Sequence, residues 1–198
     1  MIYFSSDSHA FHKNICRGTS EWGDTGEQRT RDFDTPEEMT QNIVKTWNKY
    51  VQWDDTLYFL GDWSFGGFDN IKRFRDQISC QNIHFILGNH DHHIENNKEN
   101  IRDLFSSVQH VKTITIEGQR IFMSHYSHQV WDKSHKGVIH LFGHSHDTLE
   151  GIGKSMDVGV DVAYRMFGEY RPFSWQEIKA IMDKREITLV DHHKFQTN

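Results

Sequence analysis

The segment Ile83-His84-Phe85-Ile86-Leu87-Gly88-Asn89-His90-Asp91 decides the expected fold. Its first five residues form a short apolar run of the kind that makes a buried strand, and the run ends abruptly at Gly88. An amide, an imidazole and a carboxylate follow at once, in Asn89, His90 and Asp91. In open α/β sheets, ligands bind beyond the carboxyl ends of the strands, so this pattern predicts a strand that delivers polar side chains to a site.

Four other apolar runs end in the same way. The runs are Ile2 to Phe4, Leu57 to Leu60, Ile121 to Met123 and Val138 to Phe142. The polar groups that follow them are Asp7-Ser8-His9, Gly61-Asp62, Ser124-His125 and Gly143-His144-Ser145-His146. Each of these residues taken alone is more often a surface, turn or capping residue than a ligand. Five strand ends that all carry oxygen or imidazole donors instead predict a shared metal site.

The residues between the strands predict helices that cover the sheet. Thr35-Pro36-Glu37-Glu38 is a capping box with proline at the first helical position, and it predicts a helix from Pro36 to Val51. The other predicted elements are a helix from about Asp69, a helix between Asn97 and Phe105, a hairpin of Val111 to Ile116 with Arg120 to Met123, a helix after the capping box of Ser174 and Glu177, and a closing strand from Ile187 to Val190. This order predicts an α/β (α+β) fold, with a mixed sheet or a pair of sheets under helices.

The composition predicts one globular domain over 1–198. Hydrophobic residues make up 36% and charged residues 25% of the chain, which suits a packed core and excludes a mainly disordered protein.

No apolar run is close to the roughly 18 residues of a membrane helix, and we find no signal peptide, so we expect no membrane partner and a cytoplasmic location. Cys16 and Cys80 are too few for a disulfide framework. The net charge of −6 argues against non-specific binding of nucleic acid.

The donor types narrow the choice of metal. The chain has 15 histidines, and imidazole is the commonest metal ligand in proteins. Imidazole, carboxylate and amide oxygen without thiolate suit divalent manganese, iron, nickel or zinc, and they disfavour the all-oxygen shell of magnesium or calcium. The identity of the metals stays open.

The ordered set of five motifs resembles the calcineurin-like metallophosphoesterase superfamily. The resemblance is carried by Asp-x-His, Gly-Asp, Gly-Asn-His-Asp, a lone strand-end His and Gly-His-x-His, and it spans Asp7 to His146. Five segments are similar to a small branch of that superfamily from bacteria and phages: His9 to Ile15, Trp47-Asn48, Gly61 to Trp63, Val158 to Asp161 and Tyr170 to Pro172. The resemblance implies a four-layer β-sandwich of mixed sheets flanked by helices, with two metal ions at the carboxyl ends of the strands.

The same resemblance implies a role for each motif residue. One metal would be held by Asp7, His9, Asp62 and His146, and the other by Asp62, Asn89, His125 and His144. Asp62 would bridge the two ions, a hydroxide between them would attack phosphorus, and His90 would be the general acid for the leaving oxygen. Asp91 would orient His90 or brace the site, although a helix cap explains it equally well.

The sequence defines the substrate contacts less well. Gly61-Asp62-Trp63 is not followed by the arginine that protein serine/threonine phosphatases carry after this motif, so we expect no protein phosphatase. A phosphate and a base would need cationic, polar and aromatic neighbours. The candidate contacts are His12, Asn14, Arg17, Arg31, Trp63 and Arg171, with Phe65 and Phe68 beside Trp63. Each also has an ordinary explanation, as a solvated or core residue.

We therefore expect a two-metal phosphodiesterase that acts on a small phosphoester or nucleotide. The alternatives are a nuclease or phosphomonoesterase of the same superfamily, or a protein-binding scaffold without catalysis. A scaffold would be expected to have lost ligands or the proton donor, whereas all seven ligand positions and His90 are present. The sequence leaves open the oligomeric state and whether the loop from Cys16 to Phe33 closes over the site.

Overall fold

The computed structural model describes residues 1–22 and 30–191, and the first of its two sheets has five strands. Their bounds are Ile2–Ser5 (β1), Thr56–Phe59 (β2), Asn82–Ile86 (β3), Ser107–Gln109 (β4) and Phe173–Ser174 (β9). The strand order is β4-β3-β2-β1-β9, in which β1 to β4 are parallel and β9 pairs antiparallel with β1. The parallel arrangement brings the carboxyl ends of β1, β2 and β3 to one edge.

The second sheet has four strands. Their bounds are Val111–Ile116 (β5), Gln119–Ser124 (β6), Ile139–Phe142 (β7) and Ser155–Asp157 (β8). They lie in the order β5-β6-β7-β8, with an antiparallel hairpin of β5 and β6 followed by parallel pairs. The carboxyl ends of β6 and β7 therefore also share an edge.

Five α-helices accompany the sheets within the described residues. They are Pro36–Tyr50 (α1), Gly67–Gln77 (α2), His92–Glu95 (α3), Val160–Phe167 (α4) and Trp175–Met182 (α5). The Thr35 side chain accepts the backbone N–H of Glu38, and Pro36 occupies the first helical position, as the sequence predicts. A complete capping box of Ser174 and Glu177 starts α5.

Both faces of the first sheet are buried, because residues along its strands alternate between two apolar clusters. Tyr3 belongs to one cluster and Phe4 to the other. The first cluster packs helices against the sheet through Trp47 of α1 and Phe74 of α2. The second cluster joins the two sheets, since it contains Phe4 together with Leu141 of β7. This packing fixes the two sheets relative to each other.

The predicted fold of two mixed sheets with flanking helices is confirmed. All five apolar runs form strands, as does the first half of the predicted hairpin, Val111–Ile116, and α1 ends one residue earlier than predicted, at Tyr50. Between Lys98 and Leu104 the expected helix forms only as short 3-10 turns, which are interrupted where Glu99 and Asn100 have left-handed backbone angles. The sequence does not predict the strands β4, β8 and β9 or the helices α3 and α4.

The predicted closing strand from Ile187 to Val190 is wrong, since this segment has no regular secondary structure. The error has a simple cause. Ile187 and Leu189 alternate with other residues as in a strand, but their side chains are exposed, and neither described sheet includes this segment.

In the loop from Cys16 to Phe33, Cys16 pairs with Arg31 in an isolated bridge. The part of that loop between 23 and 29 lies outside the described residues, as do the histidines at 192 and 193. Among the described helices, none has the length and apolarity needed to span a bilayer.

Candidate metal centre

The loops that follow β1, β2 and β7 are joined by hydrogen bonds at one edge of the molecule. The N–H of Asp7 donates to the carbonyl of Gly61 at 2.9 Å, and the N–H of His9 donates to the carbonyl of Asp62 at 3.0 Å. From the second sheet, the N–H of His144 donates to both carboxylate oxygens of Asp7 at 3.0 and 3.1 Å. The strand ends of both sheets therefore converge on Asp7.

The first ligand group consists of Asp7, His9 and His146. Nε2 of His9 lies 3.2 Å from Nε2 of His146, and each of these nitrogens lies 3.9 Å from Oδ1 of Asp7. Nδ1 of His146 donates to Oδ2 of Asp161 at 2.8 Å, so the neutral ring presents the lone pair of Nε2 to His9. Three donor atoms that face a common point at these separations suit one cation.

The second ligand group consists of Asp62, His125 and His144, with Asn89 beside it. Nδ1 of His125 donates to the carbonyl of Leu60 at 2.7 Å, so the lone pair of the neutral ring is on Nε2. That nitrogen lies 2.9 Å from Oδ1 of Asn89, and the same oxygen lies 2.9 Å from Nδ1 of His144. A bare ring nitrogen repels an amide oxygen at this distance unless a cation lies between them. The donor set therefore fits a bound metal ion.

Asp62 lies between the two groups. Its Oδ2 is 3.5 Å from Nε2 of His9 and 3.5 Å from Nε2 of His125. Burial, followed by the charges of Asp7 and Asp91, raises the pKa of the Asp62 carboxyl well above its ordinary value. A carboxylate in these surroundings needs cations to stay ionised near neutral pH, and this also fits metal ions on both sides of it.

The site is buried on one side and open on the other. Asp7, His9, Asp62 and His125 are buried, whereas Asn89, His90 and His144 are exposed. The backbone N–H of His90 donates to Oδ1 of Asp62 at 2.9 Å, which fixes the start of its side chain next to the proposed bridge. Burial, together with the neighbouring histidines 125, 144 and 146, lowers the pKa of the His90 ring. Substrate would enter from the side of His90.

Five of the seven residues predicted to be metal ligands have left-handed backbone conformations. They are Asp7, His9, Asp62, His144 and His146, with φ between 45° and 67°. Such angles are rare outside glycine and cost of order 1 kcal/mol or more at each residue. The hydrogen bonds between the loops hold these residues in place, and the side chains are thereby turned towards one another.

Gly88 is required where two of these loops meet. A Cβ atom added there would lie 2.3 Å from Oδ1 of Asp62 and 2.9 Å from Cε1 of His125. Any side chain would therefore push the carboxylate or the imidazole out of position.

Asp91 braces the site from behind. Its Oδ2 accepts the backbone N–H groups of Asp62 at 2.7 Å and Gly88 at 2.8 Å, and its Oδ1 accepts that of Trp63 at 3.0 Å. The alternative explanation as a helix cap does not hold for the side chain, which makes no capping hydrogen bond to α3. The carboxylate ties the loop after β2 to the loop after β3.

The three arginines predicted to contact phosphate have other partners. Arg17 forms an exposed ion pair with Asp32, at 2.9 Å. Arg171 binds Glu177, at 2.6 Å, and packs over the ring of Phe167. Arg31 is 2% exposed and binds Asp161 through two nitrogens, each at 2.9 Å. Arg31 and Arg171 are buried in these ion pairs and are not free to bind a phosphate, which sequence reasoning missed because it cannot supply the partners.

The remaining substrate candidates lie in different surroundings. Trp63 is 0% exposed, and its Nε1 donates to the carbonyl of Ile71, so its ring is part of the core and cannot stack on a base. Asn14 accepts the backbone N–H of Glu21 at 3.2 Å. His12 lies at the site: its ring stacks on Phe65 at 3.6 Å, and Phe65 lies 4.9 Å from the ring of His90.

Two residues at the site were missed by sequence reasoning. Asp161, at the start of α4, contacts both Arg31 and His146, and although burial alone would raise its pKa, the Arg31 charge and these hydrogen bonds hold the pKa well below its ordinary range. The exposed ring of Tyr126 packs against His125 at 5.1 Å and His144 at 4.8 Å. The sequence pointed to Asp161 only through the segment Val158 to Asp161, which is similar to the bacterial and phage branch of the superfamily. Nothing in the sequence pointed to Tyr126 except that it follows His125.

Comparison with known proteins supports the fold. No family model matches the sequence. The chain is 28% identical over 195 residues to an uncharacterised protein of Methanocaldococcus jannaschii, which covers 94% of this chain and 93% of that protein. The solved structure of a protein of unknown function from Aquifex aeolicus is similar with a TM-score of 0.64 and 24% identity, over 91% of this chain and 98% of that one. That similarity shows a fold shared along almost the whole chain.

A second solved structure, of an archaeal phosphodiesterase, is more distant. It is 19% identical, with a TM-score of 0.48, over 80% of this chain and 82% of that one. At the level of the fold, what the five motifs implied is confirmed by the two sheets and by the Aquifex structure.

Proposed function

We propose that this chain belongs to the metallophosphoesterase superfamily and hydrolyses phosphoesters with the help of two divalent metal ions. The position of Asp62 carries the proposal, because Oδ2 lies 3.5 Å from ring nitrogens of both ligand groups. Asp7, His9 and His146 would hold one ion; Asn89, His125 and His144 would hold the other; Asp62 would be shared. Manganese, iron, nickel and zinc all suit these donors.

The bound ions would supply an activated water molecule as nucleophile and charge neutralisation at the phosphoryl oxygens. The protein supplies the rest. Asp7, Asp62 and His125 are buried and braced, so the donor atoms are held in place before substrate arrives. His90 is exposed at the open side, where its imidazole would donate a proton to the leaving oxygen. Asp91 would hold the loops that carry Asp62 and His90 at a fixed separation.

The charge of the site favours a phosphodiester over a phosphomonoester. Arg31 and Arg171 are buried in ion pairs, so neither can offset the second negative charge of a monoester. A diester has one negative charge on its phosphate, which two metal ions would neutralise without further cations.

The surroundings of His90 favour a flat leaving group of nucleotide type. The stacked rings of His12 and Phe65 lie beside His90, where a leaving group that receives its proton would lie. Burial, together with the charges of His90 and Arg31, lowers the pKa of His12 to about 4, so the ring is neutral and suited to stacking. We therefore propose a small nucleotide diester or cyclic nucleotide as the substrate class.

Hydrolysis of bis-p-nitrophenyl phosphate and p-nitrophenyl phosphate by the purified protein tests this proposal. With added Mn²⁺, we expect faster cleavage of the diester, complete loss of activity in EDTA and no activity in Asp62→Ala. Asp132→Ala, at an exposed ion pair with Arg120 away from the site, is the matched control and should retain full activity. Equal activity of Asp62→Ala and wild type would overturn the mechanism, and a monoester preference would overturn the proposed substrate class.

A further inference from the structure

Asp161 connects the first ligand group to a buried arginine. Oδ2 of Asp161 accepts a hydrogen bond from Nδ1 of His146 at 2.8 Å and one from Nη2 of Arg31 at 2.9 Å. Oδ1 accepts from Nε of Arg31, also at 2.9 Å. The carboxylate is thus held on both oxygens by a planar guanidinium, which fixes its orientation towards the imidazole.

Arg31 also holds the loop that contains Asp7. Its Nη2 donates to the carbonyl of Asp7 at 2.6 Å, and its Nη1 donates to the carbonyl of Ser8 at 2.7 Å. A single buried side chain therefore connects the backbone at Asp7 with the carboxylate that contacts His146. Arg31 itself lies in the loop before α1, far in the sequence from both Asp7 and Asp161.

The hydrogen bond to Asp161 determines which nitrogen of His146 carries the hydrogen. An ionised carboxylate has no hydrogen to donate, so Nδ1 of His146 must be the donor. In the neutral ring, Nε2 then has a free lone pair, and this nitrogen lies 3.2 Å from Nε2 of His9. Without Asp161 the ring could rotate or change tautomer, and Nε2–H would point at the position proposed for the metal.

We propose that Asp161, oriented by Arg31, is the positioning residue that keeps His146 in its metal-ligating tautomer and orientation. This inference rests on the proposed function in one respect, namely that Nε2 of His146 is a metal ligand. It assigns a role to α4, because Asp161 is the second residue of that helix and the helix places its carboxylate under the loop after β7.

Asp161 could instead act only by stabilising the fold through a buried ion pair. A second pair in the chain serves as the control for this alternative. Arg171 and Glu177 are also bonded through two nitrogens and two oxygens, at 3.1 and 2.6 Å, and Arg171 is likewise buried. Neither of these residues contacts a proposed ligand, so Glu177→Ala should lower stability without affecting the metal site.

The tautomer of His146 can be measured in protein stripped of metal by EDTA. Long-range ¹⁵N–¹H NMR spectra distinguish protonated from bare ring nitrogens, and His146→Gln assigns the signals. In spectra recorded at alkaline pH, where the ring is neutral, we expect Nδ1–H in wild type and in Glu177→Ala, and a mixture of tautomers or an Nε2–H ring in Asp161→Ala. Asp161→Asn retains an oxygen that can accept the hydrogen bond, so it should restore much of the Nδ1–H form. An unchanged tautomer in folded Asp161→Ala would overturn the inference.

Binding of Mn²⁺ provides the second readout, followed by calorimetry and electron paramagnetic resonance. Wild type should bind two ions per chain, with the spectrum of a coupled pair. In Asp161→Ala, the affinity of one ion should fall by about 10- to 100-fold, as is usual when a hydrogen-bond partner of a metal-bound histidine is removed. The second ion should then give the spectrum of an isolated Mn²⁺.

The two proposals fail in different ways. Full binding of two ions by a folded Asp161→Ala, with a coupled spectrum, would overturn the inference and leave the proposed hydrolase intact. If wild type has the Nδ1–H tautomer but neither binds Mn²⁺ nor cleaves a diester, the proposed function is overturned, whereas loss of the tautomer in Asp161→Ala would still support positioning of the ring.

Discussion

The Asp91 carboxylate accepts the backbone N–H of Asp62 at 2.7 Å, and this contact joins the loops after β2 and β3. The same carboxylate accepts two further backbone N–H groups, from Trp63 and Gly88. Asp91 is buried, and burial raises the pKa of its carboxyl although the three N–H donors favour the charged form. The geometry of the proposed bridge thus depends on a residue that does not touch the ligand atoms.

Removal of this brace should cost stability as well as activity. Asp91→Ala leaves three buried N–H groups without an acceptor, and we expect a loss of about 3 kcal/mol in the free energy of unfolding. Urea denaturation measures this quantity. Asp132→Ala, at an exposed ion pair, should change it by less than about 0.5 kcal/mol. A similar small change in Asp91→Ala would contradict the bracing role.

A methyl group at position 88 should damage the site without removing a ligand. In Gly88→Ala the new Cβ would meet Oδ1 of Asp62 at 2.3 Å, so the carboxylate must move. We expect kcat/KM to fall by about 100-fold or more, since displacements of about 1 Å have such effects. Gly118→Ala is the control: its positive φ of 82° costs stability, but a Cβ in that turn meets nothing within 4 Å and displaces no side chain. The prediction fails if both variants hydrolyse the diester at the wild-type rate.

The role of His90 can be separated from a structural role by the choice of leaving group. A general acid matters most when the leaving oxygen is strongly basic. His90→Gln should therefore lose about 100- to 10,000-fold in kcat on a cyclic or dinucleotide substrate, and less than about 10-fold on a p-nitrophenyl ester. His93→Gln, at an exposed neighbour, is the control. Equal losses on both substrates would argue for a different proton donor.

His140 should make the protein sensitive to acid. Burial lowers the pKa of its ring to about 3, and Nε2 accepts the backbone N–H of His128 at 3.0 Å. Between pH 6.5 and about 3 the unfolded chain binds a proton at His140 and the folded chain does not, so stability falls as the pH falls. This one residue would account for a loss of roughly 2 to 3 kcal/mol at pH 4.5 relative to pH 7.

His140→Gln should be less stable than wild type at pH 7 and should show a shallower decrease from pH 7 to 4.5. Urea titrations at several pH values measure both slopes. His110→Gln provides the comparison, because His110 is exposed and lies between β4 and β5. Parallel pH profiles for wild type and His140→Gln would show that another group causes the acid sensitivity.

The sequence predicted the elements whose signals are local. Apolar runs identified the strands, and the capping residues Thr35 and Ser174 located two helices to within a residue. The short strand Ser155–Asp157 carries no pattern of its own, because it becomes a strand only by pairing with β7. Helix α4 lacks a side-chain cap at Gly159, so its start had no signal either.

The residues of the candidate site also differ in how well the sequence predicts them. Side chains at strand ends could be grouped because topology alone brings strand ends together, and Asp7, Asp62 and His125 do converge. The sequence could not predict which arginines are available to bind a phosphate, because this depends on whether a distant segment supplies an ion-pair partner. Arg31 meets Asp161 across 130 positions of the chain.

The left-handed backbone at Asp7, His9, Asp62, His144 and His146 has a consequence for how such a sequence can persist. Glycine would relieve the local conformational cost at each of the five positions, so random drift should tend to replace these residues. A related protein that had lost the activity would become more stable if glycine replaced these residues. The presence of all five residues in one chain is what we expect if the proposed chemistry, rather than stability, determines which residues occupy these positions.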